Sequence, residues 1–421
     1  MAMFRKRIYL DYASLTPIDP RVSREMKRFS APEFANPSSW YREGVDAKKA
    51  LDTSRKTVAD FLHALPDEII FTSGGTEANS LAIQGVVKAA KVAGIEKPHI
   101  IISAIEHSSI IETCKMMEVG GCEVTKVGVD PRGVILLDEL KRSIKLNTVL
   151  ISVMTVNNEI GTVQPIREIA KILRHANNEF NRARLAETHN YPLFHTDAAQ
   201  AALYNELYVE KLGVDLLTLD GSKIYGPRGM GCLYIKRDTP IKPIIQGGGQ
   251  EYGMRSGTEN LPGIAGFAKA VEIIRIERLN KETPPAGGER SNFFRHLMIE
   301  GLKKIKPDIK VNGPADEVDN DSTNNDSHRV ADKLTKFSAV SPHILNVSIP
   351  GIDNEFFVMQ LDARGVACST KSSCLRDESE SYVLKAIGAD SKESLRFSFG
   401  RWTKKRHVLK ALKIIGALIG D

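Results

Sequence analysis

Hydrophobic residues fall into short runs along the chain, and longer amphipathic stretches separate these runs. Five of the runs predict short buried strands: DEIIFTS (67–73), PHIIISAIEH (98–107), TVLISVMTVNN (148–158), YPLFHTD (191–197) and VDLLTLDGSK (214–223). Helical spacing lies between them, as in residues 76–94 and 165–180. Strands that alternate with helices predict a mostly parallel sheet with helices on both faces.

The C-terminal part of the chain carries a second set of such patterns. After a turn-rich segment at 246–260, a long helical pattern covers about 262–280, and strands are predicted at 343–349 and 394–401. The length of 421 residues also exceeds what one hydrophobic core usually supports. We therefore expect two α/β domains, with the N-terminal arm joined to the smaller one. The expected boundaries are 16–262 for the large domain, and 1–15 with 263–421 for the small domain.

Two polar stretches interrupt these patterns. Residues 177–190 lengthen the loop before the predicted strand at 191–197. Residues 313–333 form a longer polar segment that is low in aromatic residues, and this composition predicts a mobile insertion.

Composition and charge argue against several classes of protein. The chain is 42% hydrophobic and 26% charged, which is typical of globular proteins. Its formal net charge of +6 comes from residues mixed along the chain, so we expect no direct binding to nucleic acid. No stretch approaches the roughly 20 apolar residues that a membrane span requires, so we expect no membrane association.

Five cysteines are scattered along the sequence: Cys114, Cys122, Cys232, Cys368 and Cys374. They form no CxxC pair and no cluster with histidine, so their spacing predicts neither a disulfide framework nor a metal site. The N-terminal residues are basic but lack the long apolar run of a signal peptide. These features favour reduced thiols and a cytoplasmic location.

Polar residues follow several of the predicted strands. They are SGGT (73–76), His107, Asn157, Asn158, Asp197 and Lys223. The C-terminal ends of parallel strands meet at one edge of a sheet, where ligands bind. Taken singly, Asp197 is explained as a helix cap, His107 as a core histidine and Thr76 as an N-cap. Together they supply the amine, carboxylate, flat ring and helix N-terminus that hold a phosphorylated pyridine aldehyde.

Motifs along the chain match one known enzyme family in the same order. They are YLDYASLTPIDP, NPSS, FTSGGTEANSLAI, EHSSI, VNNEIGTVQPI, HTDAAQA, SKIYGPRG, GGGQEYGMRSGTEN, HILNVS, SYVLKAIG and SLRFSFGRW. From Tyr9 to Trp402 the chain resembles the cysteine desulfurases, which are class V aminotransferase-like, fold-type I pyridoxal phosphate enzymes. The resemblance implies a large domain with a mostly parallel seven-stranded sheet and a smaller C-terminal α/β domain.

The resemblance also implies roles for residues around the ring of pyridoxal 5'-phosphate. Lys223 matches the Schiff-base lysine, and Asp197 matches the partner of the pyridinium nitrogen. Gln200 matches the residue that bonds to the phenolic oxygen. His107 matches the histidine that stacks on the ring, and it is also a candidate proton carrier. Asn158 matches the asparagine beside the cofactor and the substrate.

At the phosphate, Gly75 and Thr76 match the family's phosphate-binding turn. Thr258 matches a phosphate contact that the partner subunit supplies, which implies a homodimer. The family usually has Ser-Gly-His-Lys where this chain has DGSK (220–223). Ser222 therefore keeps a hydroxyl donor but loses the imidazole. A carboxylate at Asp220 would repel the phosphate unless it turns away or pairs with a cation.

Sulfur removal requires a nucleophilic thiolate on a loop that reaches the substrate. Cys374 matches the family's nucleophile before SYVLKAIG, although it lies one residue closer to that motif than is usual. Lys371 and Arg376 are placed to lower its pKa. Cys368 falls at an apolar strand position, so we expect it to be buried. Arg396 matches the arginine that holds the substrate carboxylate, for which its planar fork is suited.

These assignments predict a cysteine desulfurase that converts L-cysteine to L-alanine and leaves a persulfide on the enzyme. The persulfide would serve an acceptor protein, such as an iron–sulfur scaffold or a tRNA-thiolation protein. A selenocysteine lyase would use similar machinery, whereas a class V aminotransferase would not need the cysteine loop. A catalytically degenerate scaffold of the same fold is the remaining alternative, and Asp220 and Ser222 favour it.

Overall fold

The computed structural model describes residues 7–183, 191–279, 288–314, 339–371 and 380–420. The strands in these ranges are β1 (Ile8–Tyr9), β2 (Ile69–Thr72), β3 (His99–Ser103), β4 (Glu123–Val127), β5 (Thr148–Ser152), β6 (Leu193–Asp197), β7 (Leu216–Asp220), β8 (Gly231–Ile235), β9 (Lys310–Asn312), β10 (Ile344–Ser348), β11 (Val366–Ala367) and β12 (Ser394–Ser398). The helices are α1 (Pro20–Ser30), α2 (Arg42–Leu62), α3 (Gly75–Val92), α4 (Ser108–Val119), α5 (Leu137–Ser143), α6 (Ile166–Ala183), α7 (Val209–Leu212), α8 (Leu261–Leu279), α9 (Gly288–Ile305), α10 (Asn354–Ala363), α11 (Tyr382–Ala386) and α12 (Lys405–Gly420). No helix within the described ranges has both the length and the apolar character that a membrane crossing requires.

A seven-stranded sheet organises the N-terminal part of the chain, in the order β2-β8-β7-β6-β5-β3-β4. Strand β8 runs antiparallel to both of its neighbours, and all the other pairs in this sheet are parallel. This confirms the predicted mostly parallel seven-stranded sheet. The strands predicted from hydrophobic runs coincide with β2, β3, β5, β6 and β7, and β4 and β8 are additional.

Helices cover both faces of this sheet, and the side chains of β3 show how. Ile101 packs in a hydrophobic cluster with residues of α2 and α8 on one face. Its neighbours Ile100 and Ile102 point to the opposite face and pack with residues of α3 and α4. Alternation along a strand that is buried on both faces explains why the sequence shows a continuous hydrophobic run there.

A third hydrophobic cluster, called the small hydrophobic cluster below, joins the two ends of the chain. It contains Leu10 from the N-terminal arm together with residues of α9, β10, β12 and α12. Strand β1 pairs in parallel with β11, and β9, β10 and β12 form an antiparallel sheet. The N-terminal arm therefore packs against the C-terminal part of the chain.

Helix α8 contributes to the core of the large sheet. It packs on α1 and α2, and its residues Phe267 and Val271 belong to the same hydrophobic cluster as Phe71 of β2. The expected domain boundary at 262/263 falls inside this helix. We therefore propose that the large domain continues through α8 and that the boundary follows it.

The two polar stretches lie partly outside the described residues. Helix α6 continues to Ala183, so the first part of the predicted loop at 177–190 is helical, as its Glu, Arg and Ala content allows. Residues 184–190 are outside the described ranges, as are residues 315–338, which include nearly all of the insertion predicted at 313–333.

Candidate active site

A cavity of about 190 Å³ lies at the edge of the sheet where β6 and β7 end. It brings together eight of the predicted site residues: Gly75, Thr76, His107, Asn158, Asp197, Gln200, Lys223 and Arg396. Ala13 and Ser14 of the N-terminal arm complete its wall. The cavity thus lies between the large sheet and the part of the structure that joins the two chain ends.

Lys223 sits in a tight turn directly after β7. The backbone amide of Gly221 donates to the carbonyl of Met230 at 2.9 Å, and the amide of Gly226 donates to the carbonyl of Gly221 at 3.0 Å. These bonds close the turn on both sides of the lysine. Its Nζ donates to the carbonyl oxygen of Ser14 at 2.5 Å. The Gly/Pro-rich sequence after the lysine therefore fixes its amine at the cavity wall.

Asp197 ends β6 and is 7% exposed. Its Oδ2 accepts a hydrogen bond from Asn79 Nδ2 at 2.8 Å, and its Oδ1 accepts one from the amide of Ala199 at 2.9 Å. Two donors thus hold a buried carboxylate in one orientation at the cavity. Such a carboxylate is suited to pair with a protonated ring nitrogen.

His107 caps the N-terminus of α4. The amide of Ser109 donates to its Nδ1 at 3.2 Å, so the neutral ring carries its proton on Nε2. The Ser109 hydroxyl lies 2.9 Å from the same Nδ1 and accepts from Asn79 Nδ2 at 2.9 Å. Asn79 and Ser109 therefore link the orientation of the His107 ring to that of Asp197.

Glu106 lies behind His107 and is fully buried. Its Oε1 accepts from the amide of Met154 at 2.8 Å. Burial raises the pKa of Glu106 well above its usual value, and the negative charge of Asp197 raises it further. Burial therefore disfavours the charged form of this carboxyl group.

Gln200 is held by two contacts at the opposite wall. Its Nε2 donates to the carbonyl of Ala13 at 2.8 Å, and its Oε1 lies 3.3 Å from His343 Nε2. Burial, together with the nearby charge of Arg396, lowers the pKa of His343 to about 3. His343 is thus neutral at pH 7, and its remaining nitrogen lies 2.7 Å from the Ser341 hydroxyl.

Arg396 on β12 is 1% exposed and points at the cavity from the small-domain side. Its Nη2 donates to Asp11 Oδ1 at 2.9 Å and to the Ser14 hydroxyl at 2.6 Å. Its Nη1 donates to the backbone carbonyl of Asn158 at 2.9 Å. The guanidinium is therefore fixed in place by two groups of the N-terminal arm and by the loop after β5.

The predicted phosphate residues lie at the N-terminus of α3. Gly75 and Thr76 line the cavity there, and Asp220 at the end of β7 lines it beside them. Ser222 lies next to this wall; its amide donates to Asp220 Oδ1 at 2.7 Å and its carbonyl accepts from Thr16. Thr258 is exposed in this single chain and does not line the cavity.

The predicted nucleophile, Cys374, and its neighbour Arg376 lie outside the described residues. Cys368 is buried in the small hydrophobic cluster, and burial raises its pKa. Lys371 forms an ion pair with Glu355 at 3.7 Å.

The other cysteines that the structure describes, Cys114, Cys122 and Cys232, are also buried, and burial raises the pKa of each. Across the described ranges, no group of histidine, cysteine and acidic residues is arranged to hold a metal ion. The described part of the chain therefore offers neither an activated thiol nor a metal site.

Sequence reasoning missed three residues that hydrogen-bond to predicted ones, Asn79, His343 and Asp11, and it missed Glu106, which is buried behind His107. Each lies within a motif already noted. Their contacts, however, connect residues that are far apart in the sequence, such as Asn79 and Asp197, which are 118 positions apart. Their place in those motifs is the only signal that the sequence offers for them.

Comparisons with known proteins place this site in a family. Residues 8–325 match the model of the family Aminotransferase class-V. The chain is 37% identical over 420 residues to a cysteine desulfurase IscS of Dictyoglomus turgidum, covering 99% of this chain and 95% of that protein. The chain belongs to the cysteine desulfurase family. This confirms the family predicted from the motifs.

Solved structures agree with that family. A NifS-like protein superposes with a TM-score of 0.82 at 31% identity, over 98% of this chain and 99% of that one. A structure described as SspA in complex with cysteine gives a TM-score of 0.72 at 30% identity, over 94% and 99%. The mostly parallel sheet is therefore the fold of known cysteine desulfurase relatives.

The cysteine desulfurase family uses pyridoxal 5'-phosphate, and the residues of this cavity fit that cofactor. Lys223 supplies the amine, and Asp197 supplies a buried carboxylate held by two donors. His107 supplies a flat ring, and the start of α3 supplies backbone amides for a phosphate. One residue departs from this fit: Asp220 places a carboxylate where the phosphate would bind.

Proposed function

We propose that the chain is a cysteine desulfurase that removes sulfur from L-cysteine, releases L-alanine and holds the sulfur as a persulfide on Cys374. The observation that supports this most is the convergence of Lys223, Asp197 and His107 on one cavity. A lysine amine, a fixed buried carboxylate and a flat imidazole are the groups that pyridoxal 5'-phosphate needs.

When bound, pyridoxal 5'-phosphate supplies the electron sink that stabilises negative charge at the substrate Cα. The chain's own residues bind the substrate and move its protons. Arg396 is fixed by Asp11 and Asn158 and binds the substrate carboxylate. Lys223 Nζ removes the Cα proton, and His107 Nε2 carries a proton near the sulfur.

Sulfur transfer then joins the substrate sulfur to Cys374. The Cys374 thiolate attacks that sulfur, an S–S bond forms and the substrate C–S bond breaks with its electron pair left on carbon. A proton then adds to Cβ, and Lys223 Nζ returns the proton to Cα, which completes L-alanine. The products are L-alanine and a persulfide, so no external oxidant or reductant is needed.

Chain connectivity supports Cys374 as the acceptor. Before it, Ser369 and Arg396 exchange backbone hydrogen bonds of 3.1 and 2.6 Å beside the cavity. After it, the Ser381 hydroxyl donates to Glu159 Oε2 at 2.7 Å, and the Tyr382 hydroxyl donates to the carbonyl of Glu106. Cys374 lies five positions after Ser369, and a chain of that length extends over at most about 18 Å. Both ends are thus anchored within reach of the site.

The direct test measures products from the purified protein supplied with pyridoxal 5'-phosphate and L-cysteine. We expect L-alanine to form in equal amounts with sulfide when a thiol reductant is present. A protein that stays colourless with the cofactor and forms no alanine would be a degenerate scaffold and would refute the proposal. A much higher kcat/KM for L-selenocysteine than for L-cysteine would instead identify a selenocysteine lyase.

We propose that the working form is a homodimer in which Thr258 of one chain contacts the cofactor phosphate of the other. Large aromatic residues are exposed in the single chain, with Trp40 98% and Phe34 72% exposed, and such patches are typical of interfaces. Sedimentation should give the mass of two chains. A fully active species with the mass of one chain would contradict this arrangement.

We propose that an acceptor protein in the cytoplasm, such as an iron–sulfur scaffold or a tRNA-thiolation protein, takes the persulfide sulfur. The buried and unpaired state of the described cysteines suits a reducing compartment. Radiolabelled sulfur loaded from L-cysteine should move to such an acceptor on mixing. Retention of all label on this chain would exclude that acceptor.

A further inference from the structure

Asp220 bridges the two segments that frame one end of the cavity. Its Oδ2 accepts from the amide of Gly75, the first residue of α3, at 3.0 Å. Its Oδ1 accepts from the amide of Ser222 at 2.7 Å, in the turn that carries Lys223. The carboxylate is therefore held by both oxygens and is directed at the N-terminus of the helix.

The N-terminus of a helix attracts anions because its first amides lack partners within the helix and carry partial positive charge. In this chain the Asp220 carboxylate already accepts a hydrogen bond from one of these amides, that of Gly75. The approach is close, since a Cβ on residue 75 would lie 3.1 Å from Asp220 Oδ2. The position that would receive a phosphate oxygen thus contains a negative charge that belongs to the protein.

Binding of a phosphate group at this site costs free energy in either of two ways. If Asp220 stays, two anions lie side by side, and like charges at such distances repel. If Asp220 turns away, the hydrogen bonds to Gly75 and Ser222 are lost. A serine at this position, as the resemblance implies for the family, carries neither cost.

We propose that Asp220 acts as an internal anion that occupies part of the phosphate site. It thereby lowers the affinity of the chain for the phosphate group of pyridoxal 5'-phosphate. This inference rests on the proposed function, because it concerns that cofactor. It makes Asp220 a specificity-determining residue. The chain discriminates less between the phosphorylated and the unphosphorylated pyridine aldehyde than it would with a neutral residue at 220.

The test compares the dissociation constants of pyridoxal and pyridoxal 5'-phosphate by equilibrium dialysis. The dissociation constant of pyridoxal divided by that of pyridoxal 5'-phosphate measures how much the phosphate contributes to binding, apart from the ring. In Asp220→Ser and Asp220→Asn we expect this ratio to rise about tenfold or more over the parent chain, since a neighbouring like charge is removed. Asparagine keeps nearly the shape of Asp220, so it separates charge from packing.

The matched control is Asp67→Asn, which removes an exposed carboxylate before β2, at the opposite edge of the sheet. Its ratio should equal that of the parent. If both Asp220 variants also match the parent, the inference is wrong. Melting temperature provides a second readout without the cofactor: inorganic phosphate should raise it in Asp220→Ser more than in the parent.

The two hypotheses fail in different ways. If neither the parent nor any variant binds pyridoxal 5'-phosphate, the proposed function is refuted, and the phosphate-dependent melting temperature still decides the role of Asp220. If inorganic phosphate then raises the melting temperature equally in the parent and in Asp220→Ser, the proposed role of Asp220 is overturned. If all proteins bind the cofactor with the same preference for the phosphorylated form, the function stands and the role of Asp220 falls.

Discussion

Replacing Lys223 by alanine should abolish the covalent attachment of pyridoxal 5'-phosphate and lower turnover of L-cysteine by about a thousandfold or more. The amine is held at the cavity by the closed turn after β7 and by its bond to Ser14. In the proposed mechanism it supplies both the nitrogen that bonds to the cofactor and the group that moves the Cα proton, so one substitution removes two functions. Methylamine added to the variant should restore little activity, because a free amine is not held in the position that the lysine amine occupies.

Borohydride reduction followed by mass spectrometry measures this attachment directly. The parent should gain the mass of the reduced cofactor on the peptide that contains Lys223, and the variant should gain none. Lys236→Ala is a matched control, because that lysine is exposed and lies at the far edge of the sheet beyond β8. Cofactor that remains covalently trapped in the Lys223 variant would show that another residue holds it.

Replacing Cys374 by serine should leave cofactor binding and L-cysteine binding intact but remove persulfide and alanine formation. A hydroxyl is a far weaker nucleophile toward sulfur than a thiolate, so we expect turnover to fall by about a thousandfold or more. Because the variant still binds substrate, its absorption spectrum should change on adding L-cysteine while no alanine forms. That separation of binding from turnover distinguishes a lost nucleophile from a misfolded protein.

Cys368→Ser is the matched control for that experiment. Cys368 lies in the small hydrophobic cluster, and its raised pKa leaves it as an unreactive thiol. The variant should retain near-parental turnover, with its free energy of unfolding lower by about 1–3 kcal/mol, because a hydroxyl replaces a buried thiol. A persulfide found on Cys368 after a single turnover would overturn the assignment of the nucleophile.

The central strands were predictable from the sequence because they are buried on both faces. Strand β3 is fully buried, so its sequence is continuously hydrophobic. Strand β4 escaped prediction because it lies at the sheet edge and is only partly buried, which leaves polar residues in its sequence. Strand β8 is buried except for Ile235, but it directly follows the Gly-rich turn after Lys223, so its short hydrophobic run was not recognised as a separate strand.

Only those residues of the candidate site that carry reactive side chains at strand ends were predictable from the sequence. Lys223, Asp197 and His107 carry reactive groups directly after predicted strands, and the structure brings them to one cavity. Asn79 orients Asp197, and His343 orients Gln200, through contacts that no local pattern encodes. For Asp220 the sequence left two outcomes open, turning away or pairing with a cation. The structure has neither, since two backbone amides donate hydrogen bonds to the carboxylate.

The pairing of β1 with β11 sets an order of events during protein synthesis. Ser14, which contacts both Lys223 and Arg396, is synthesised 382 positions before Arg396. At bacterial or eukaryotic elongation rates this delay is on the order of tens of seconds. The large sheet has all its strands by Ile235 and is free to fold within that time. The N-terminal arm, however, has no strand partner until Val366 and Ala367 are made. The cavity gains its last wall only after Arg396 has been made, so we expect the cofactor to bind after that point in synthesis.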